Sequence, residues 1–100
     1  MQIVVSARHG DVSDEVKKYA ERKAEKLLKF FDKIQEIEVV LDHDSSSSQV
    51  EIIVNAEHGN VFVASDKGED YFAAVDLTVD KMGRQLTRHK EKHRNRKHPG

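Results

Sequence analysis

Apolar residues recur along this chain with two different periods. The opening Met1-Gln-Ile-Val-Val-Ser6 alternates, with Ile3 and Val5 on one side and Val4 on the other, as a strand does. From Ser13 the period lengthens. Val16, Ala20, Ala24, Leu27, Leu28, Phe31 and Ile34 fall mostly three and four apart, which predicts an amphipathic helix over roughly 13–32. Ser13 suits its N-cap, and Asp14 and Glu15 place negative charge in the first turn, where the helix dipole favours it.

Alternation then returns. Ile37, Val39 and Leu41 interleave with Glu36, Glu38, Val40 and Asp42, and Val50, Ile52, Val54 and Ala56 with Glu51, Ile53 and Asn55. The polar run Asp42–Gln49 between them, with its four serines, reads as a flexible hairpin tip. Glu57-His-Gly-Asn60 turns the chain into a further strand at Val61–Ser65, with Gly59 supplying a positive φ. A last helix follows, in which Phe72, Val75, Val79, Met82 and Leu86 make the apolar stripe. Gly83 in its interior costs about 1 kcal/mol relative to Ala.

The order β-α-β-β-β-α predicts an α+β fold. It is a four-stranded sheet with the first two strands parallel through a right-handed crossover and hairpins elsewhere. Both helices cover one face of the sheet. The other face, carrying Val4, Val40, Ile53 and Phe62, is expected to be partly exposed. One domain is expected over residues 1–93, with 94–100 a basic, disordered tail.

Composition narrows the classes. The 100 residues are 37% hydrophobic and 35% charged, a small core under a charged surface. No stretch approaches the roughly 20 apolar residues of a membrane span, and Met1–Ser6 has no secretory pattern, so a cytoplasmic chain with no membrane partner is expected. The absence of cysteine removes disulfides, thiolate metal sites and cysteine nucleophiles.

The net charge of −1 conceals a split. Residues 1–80 hold nine Lys/Arg against seventeen Asp/Glu, a balance of −8, whereas residues 81–100 hold eight against Glu91 alone, a balance of +7. On the last helix Lys81, Arg84, Arg88 and Lys92 lie opposite the apolar stripe, past the acids Asp76 and Asp80. On the first, Lys18, Arg22, Lys26, Lys29 and Lys33 make a second outward ridge. Cations at a helix C-terminus gain about 0.3–1 kcal/mol from the dipole, which accounts for part of this with no ligand. Yet Lys18–Arg22, Arg22–Lys26, Arg84–Arg88 and Arg88–Lys92 are like-charged pairs at i,i+4, each costing about 0.2–0.5 kcal/mol. Two ridges of that kind point to an extended polyanion.

Other chemistries find less support. His89 and His93 have metal-ligand spacing, but the sequence positions no carboxylate to complete a shell, and cations surround them. No phosphate loop, nucleophile elbow or cofactor motif is present, so neither an enzyme nor a cofactor is expected. Tyr71, Phe72, Phe30 and Phe31 read as core residues rather than base-stacking platforms.

Asp70-Tyr-Phe-Ala-Ala-Val-Asp76, followed by Asp80-Lys-Met-Gly-Arg-Gln-Leu-Thr-Arg-His-Lys-Glu-Lys92, resembles the short-form ribosome hibernation promoting factors of the ribosome-associated translation inhibitor family. The likeness extends to the Met-Gln-Ile opening, to Lys23 and Lys26, and to Phe31-Asp-Lys-Ile34. It implies a double-stranded-RNA-binding-like fold with an extra first strand. It also implies binding to the 30S ribosomal subunit and its 16S rRNA in the mRNA/tRNA channel, which blocks translation in stationary phase or stress. The residues matching the family's rRNA-facing pattern are Lys23, Lys26, Lys81, Arg84, Arg88, His89, Lys90 and Lys92, with Lys18, Arg22 and Lys29 a secondary basic face.

Arg88 stands where the family more often has lysine, which adds bidentate capacity at a phosphate. Lys23 lies close to the apolar stripe, so its head must snorkel outward. Longer family members carry a separate dimerisation domain, so the expectation is that ribosome pairing either needs a second factor or does not occur, and the free chain is expected to be a monomer. Two alternatives stay open: a general duplex-RNA-binding module, and a small regulator of a transcription sigma factor.

Overall fold

The structure is a computed structural model that describes residues 1–96, with side-chain surroundings through Lys92. Strand β1 (Gln2–Ala7) leads through helix α1 (Asp14–Glu25) and a 3-10 turn (Lys26–Lys29) into β2 (Ile34–His43). β3 (Ser48–Ala56), β4 (Val61–Gly68) and helix α2 (Tyr71–Arg96) complete the chain. The strands lie in the order β1-β2-β3-β4, with β1 parallel to β2 and the other pairs antiparallel. Element order and sheet topology are those the hydrophobic pattern predicts.

The register decides which side chains are buried. Ile37 pairs with Val54, Val39 with Ile52 and Leu41 with Val50, and all six are almost wholly enclosed beneath the helices. α1 supplies Val16, Ala20 and Ala24 and the turn after it Leu27, while α2 supplies Ala74, Val75, Met82 and Leu86. Thr78 is the one fully buried polar residue among them. Its hydroxyl donates to Ala74 O at 2.7 Å, within its own helix, and at 3.4 Å approaches Val50 O on β3. A hydroxyl so satisfied costs the core little.

Several expectations are corrected. Phe62 belongs to the helix-covered face, because it pairs with Val54, while Val61 and Val63 stand outward at 57% and 49% exposure. Val40 is on the open face yet only 6% exposed. The first helix stops well short of residue 32: its last turn tightens into the 3-10 turn, and Ile34 already belongs to β2. The β2–β3 tip is only Asp44–Ser47, because Asp44 Oδ1 accepts from Ser46 N at 2.9 Å and Ser47 N at 2.8 Å. Those two N–H groups hold the Asp44 carboxyl at about 2, below its usual 3.8. At the next turn His58, like Gly59, has positive φ (63° and 72°). α2 continues through Arg96, so the predicted tail begins as helix; its remainder, 97–100, lies outside the described residues.

The parallel β1–β2 crossover and the β3–β4 hairpin together make the two helices run in the same direction. Contacts follow both chains forward: Tyr19 meets Phe72 and Asp76, Lys23 meets Asp76, Phe30 meets Gly83, and Phe31 meets His89. Both C-terminal ends therefore reach the same end of the molecule. There α2 outruns the sheet, since Gln85 already lies against Val63 and His89 against Phe62, close to the start of β4.

Candidate nucleic-acid interface

At this end of the molecule α1 and its 3-10 turn stop, so their last carbonyls favour cations, while α2 runs on past them through Arg96. Cations outnumber acids there, with Glu25, Asp32 and Glu91 exposed among them. Lys26 and Lys29 lie in the 3-10 turn after α1, and Arg84, Arg88, Lys90 and Lys92 on α2. All six are exposed, and none makes an ion pair among the described residues. Arg84 Nε donates only weakly, to Asp80 O at 3.4 Å.

The predicted cations nearer the start of this face behave differently. Lys23, half-buried, has its Nζ 3.5 Å from Asp76 Oδ1 and 5.5 Å from the Tyr19 ring centre. Tyr19 donates to the same Asp76 oxygen at 2.7 Å, so three side chains close the seam between α1 and α2. The Asp76 charge raises the Lys23 pKa, and the hydrogen bond to Asp76 raises that of Tyr19. Arg22 lies 5.9 Å from the centre of the Tyr19 ring on its exposed side, and Lys18 is exposed one turn before it.

Lys81 is not on the outward ridge. It reaches across the sheet edge to Asp66 Oδ2 at 3.3 Å and donates to Ser65 O at 3.1 Å. Gln85 Nε2 donates to Val63 O at 2.9 Å. These two α2 side chains satisfy carbonyls of the edge strand β4 and shield it from pairing with another chain. The Lys67 N–H and then Lys81 hold the Asp66 carboxyl below its usual pKa.

His89, which the resemblance assigns to RNA, is turned inward. Its ring stands edge-on between Phe31 at 5.4 Å and Phe62 at 5.0 Å. As the residue three before Lys92 and one after Arg88, it occupies the flank of α2 that meets both β4 and the turn after α1. The His93 side chain lies outside the described residues.

Phe30 is a residue that sequence reasoning places in the core and the structure does not. It is 40% exposed and its ring rests on Gly83 of α2, where a Cβ would stand 3.1 Å from Cε2. The signal was Gly83 itself: a glycine inside a helix, with no turn to explain it, marks a close approach. Phe31, its neighbour, is packed against the core as expected.

The open face of the sheet carries Glu36, Glu38 and Glu51, interleaved with Val4, Ile53 and Val63, together with Lys67.

With this geometry in hand, the comparisons with known proteins are decisive. The family described as "Sigma 54 modulation protein / S30EA ribosomal protein" matches residues 3–94. The chain belongs to that family. Among its relatives is the ribosome hibernation promoting factor of Azotobacter vinelandii, 36% identical over 92 residues that cover 92% of this chain and 85% of that protein. The protein of the same name from Escherichia coli K12 is 30% identical, over 92% of this chain and 96% of its own length. The N-terminal domain of Thermus thermophilus Protein Y has the same fold, with a TM-score of 0.77 and 26% identity over 89% of this chain and 99% of that one. So has a ribosomal subunit interface protein from Coxiella burnetii, with a TM-score of 0.83 and 23% identity over 91% of this chain and 99% of that one. No helix among the described residues is long and apolar enough to cross a membrane.

Proposed function

We propose that the chain is a ribosome hibernation factor that docks the shared C-terminal end of its two helices onto 16S rRNA of the 30S subunit. Occupying the mRNA/tRNA channel, it blocks translation in stationary phase or stress. A role in ribosome hibernation and translation regulation follows from the family and from relatives that carry that name at 30–36% identity. The observation that carries the finer reading is the set of six exposed cations at one end of the molecule that make no ion pair among the described residues.

Physically this is phosphate and shape recognition. Lysine and arginine contacts to phosphate fix position without reading sequence. Each contact releases counterions, so with about six such contacts affinity falls by roughly three orders of magnitude or more between 50 and 200 mM salt. The acidic sheet face repels RNA that lacks a cleft, which favours a site enclosing only the basic end. The chain acts as a cytoplasmic monomer.

Sucrose-gradient sedimentation with purified 30S subunits tests the reading. Co-migration with the subunit at moderate salt, with naked duplex RNA failing to compete at equal nucleotide concentration, is the expected result. Equal binding to free duplex RNA would make the chain a general RNA-binding module. A change in sigma-dependent transcription with ribosomes absent would make it a regulator of that machinery.

A further inference from the structure

The seam between the 3-10 turn and the middle of α2 holds an open cleft of about 420 Å³, bordered by Phe30, Asp80, Gly83, Arg84, Thr87 and Arg88. That is the size of a small-ligand site. Asp80, Arg84 and Arg88 are successive i,i+4 residues and form one row along the helix; Gly83 and Thr87 form the next. Phe30 reaches over Gly83 and still leaves 40% of its surface in solvent. The Thr87 hydroxyl already donates to Gly83 O at 2.9 Å. The cleft is thus bordered by an aromatic residue, two arginines and an aspartate that forms no ion pair among the described residues.

Few ligands use all three. A bare phosphate has no use for Phe30 and is repelled by Asp80, and an apolar molecule leaves both arginines idle. A nucleotide uses each group. Its base stacks on an aromatic ring, its phosphates take the forked donors of arginine, and a carboxylate accepts from its amino group. Adenine, cytosine and guanine carry an exocyclic amino group; uracil does not. Protein-bound RNA commonly presents bases in this way at unpaired positions, splayed from the helix.

We propose that this cleft receives one unpaired, amino-bearing nucleotide of the bound RNA, with its base on Phe30 and facing Asp80, and its flanking phosphates on Arg84 and Arg88. The proposal rests on the reading that this end of the molecule meets RNA, and adds to it a position where a base is read.

The test uses the full chain with labelled single-stranded hexanucleotides A6, C6 and U6, read by fluorescence anisotropy, and with 30S subunits read by sedimentation. A6 and C6 are expected to bind several-fold tighter than U6, and Asp80→Ala to erase that preference. Phe30→Leu keeps an apolar contact with Gly83 but has no ring face. It is expected to weaken both A6 and 30S binding by roughly five- to hundred-fold while leaving the salt dependence unchanged. Equal affinity for the three oligonucleotides, or a Phe30→Leu chain that binds subunits like the unaltered one, overturns the proposal. Arg88→Gln separates that failure from a wider one. If it still weakens subunit binding, the basic end stands without a base pocket; if it does not, the RNA-facing assignment of this end falls as well.

Discussion

Lys81 and Arg88 stand two turns apart on one helix, and their surroundings are opposite. Lys81, though exposed, is held by Asp66 and by a carbonyl of the edge strand β4. Arg88 is exposed, forms no ion pair among the described residues, and borders the cleft beside Phe30. The first helix repeats the contrast between Lys23, tied to Asp76, and Lys26 and Lys29 farther along. Of the cations compared, Lys23 and Lys81 pair with acids on another element, whereas Lys26, Lys29, Arg84, Arg88, Lys90 and Lys92 are exposed with no ion pair among the described residues.

The largest expected effect comes from reversing the second group. On the proposed reading, Arg84→Glu with Arg88→Glu removes two phosphate contacts and introduces two repulsions. Subunit binding at moderate salt should fall by at least two orders of magnitude, measured by sedimentation. The unfolding free energy should move by less than about 0.5 kcal/mol, because both side chains are exposed. A stability loss equal to the binding loss would erase the distinction between the groups.

A smaller effect, of the opposite kind, is expected in the seam. Tyr19→Phe keeps the edge-on contact with Phe72 at 4.9 Å and deletes the hydrogen bond to Asp76. A solvent-exposed bond of this sort contributes toward the low end of about 0.5–1.5 kcal/mol, so thermal unfolding should fall by roughly 2–6 °C with subunit binding unchanged.

The smallest effect separates a third kind of charge, an acid held by backbone rather than by a cation. The Asp44 carboxyl titrates at about 2 in the folded chain and near 3.8 when unfolded. A depressed pKa stabilises the fold above the unfolded value and ceases to do so as pH falls through the folded one. The β2–β3 tip should lose this contribution between about pH 4 and pH 2, and Asp44→Ala should remove that part of the acid dependence. A carboxyl chemical-shift titration of Asp44 checks the midpoint directly.

The elements were legible because each has one clear period. Where the period carries no phase, the sequence is silent. Val61, Phe62, Val63 and Ala64 are apolar at every position, so only the pairing of Val54 with Phe62 and Ile52 with Ala64 fixes which face is buried. The end of the first helix was obscured for a related reason, since Leu27, Leu28, Phe31 and Ile34 continue a helical spacing that the backbone has already left. The basic face was legible in outline, as like charges at i,i+4 on two helices. The division within it was not. It depends on Asp66 and Asp76, acids on other elements that approach Lys81 and Lys23 only after folding. The direction of His89 was hidden for the same reason, being set by Phe31 and Phe62.

The most direct measurement is the salt dependence of 30S affinity for Lys81→Gln and Arg88→Gln beside the unaltered chain. Arg88→Gln should lower the slope of log affinity against log salt by about one, the loss of one phosphate contact, and Lys81→Gln should leave it unchanged. A slope that falls equally in both variants, or only in Lys81→Gln, contradicts the division of cations on which the account stands.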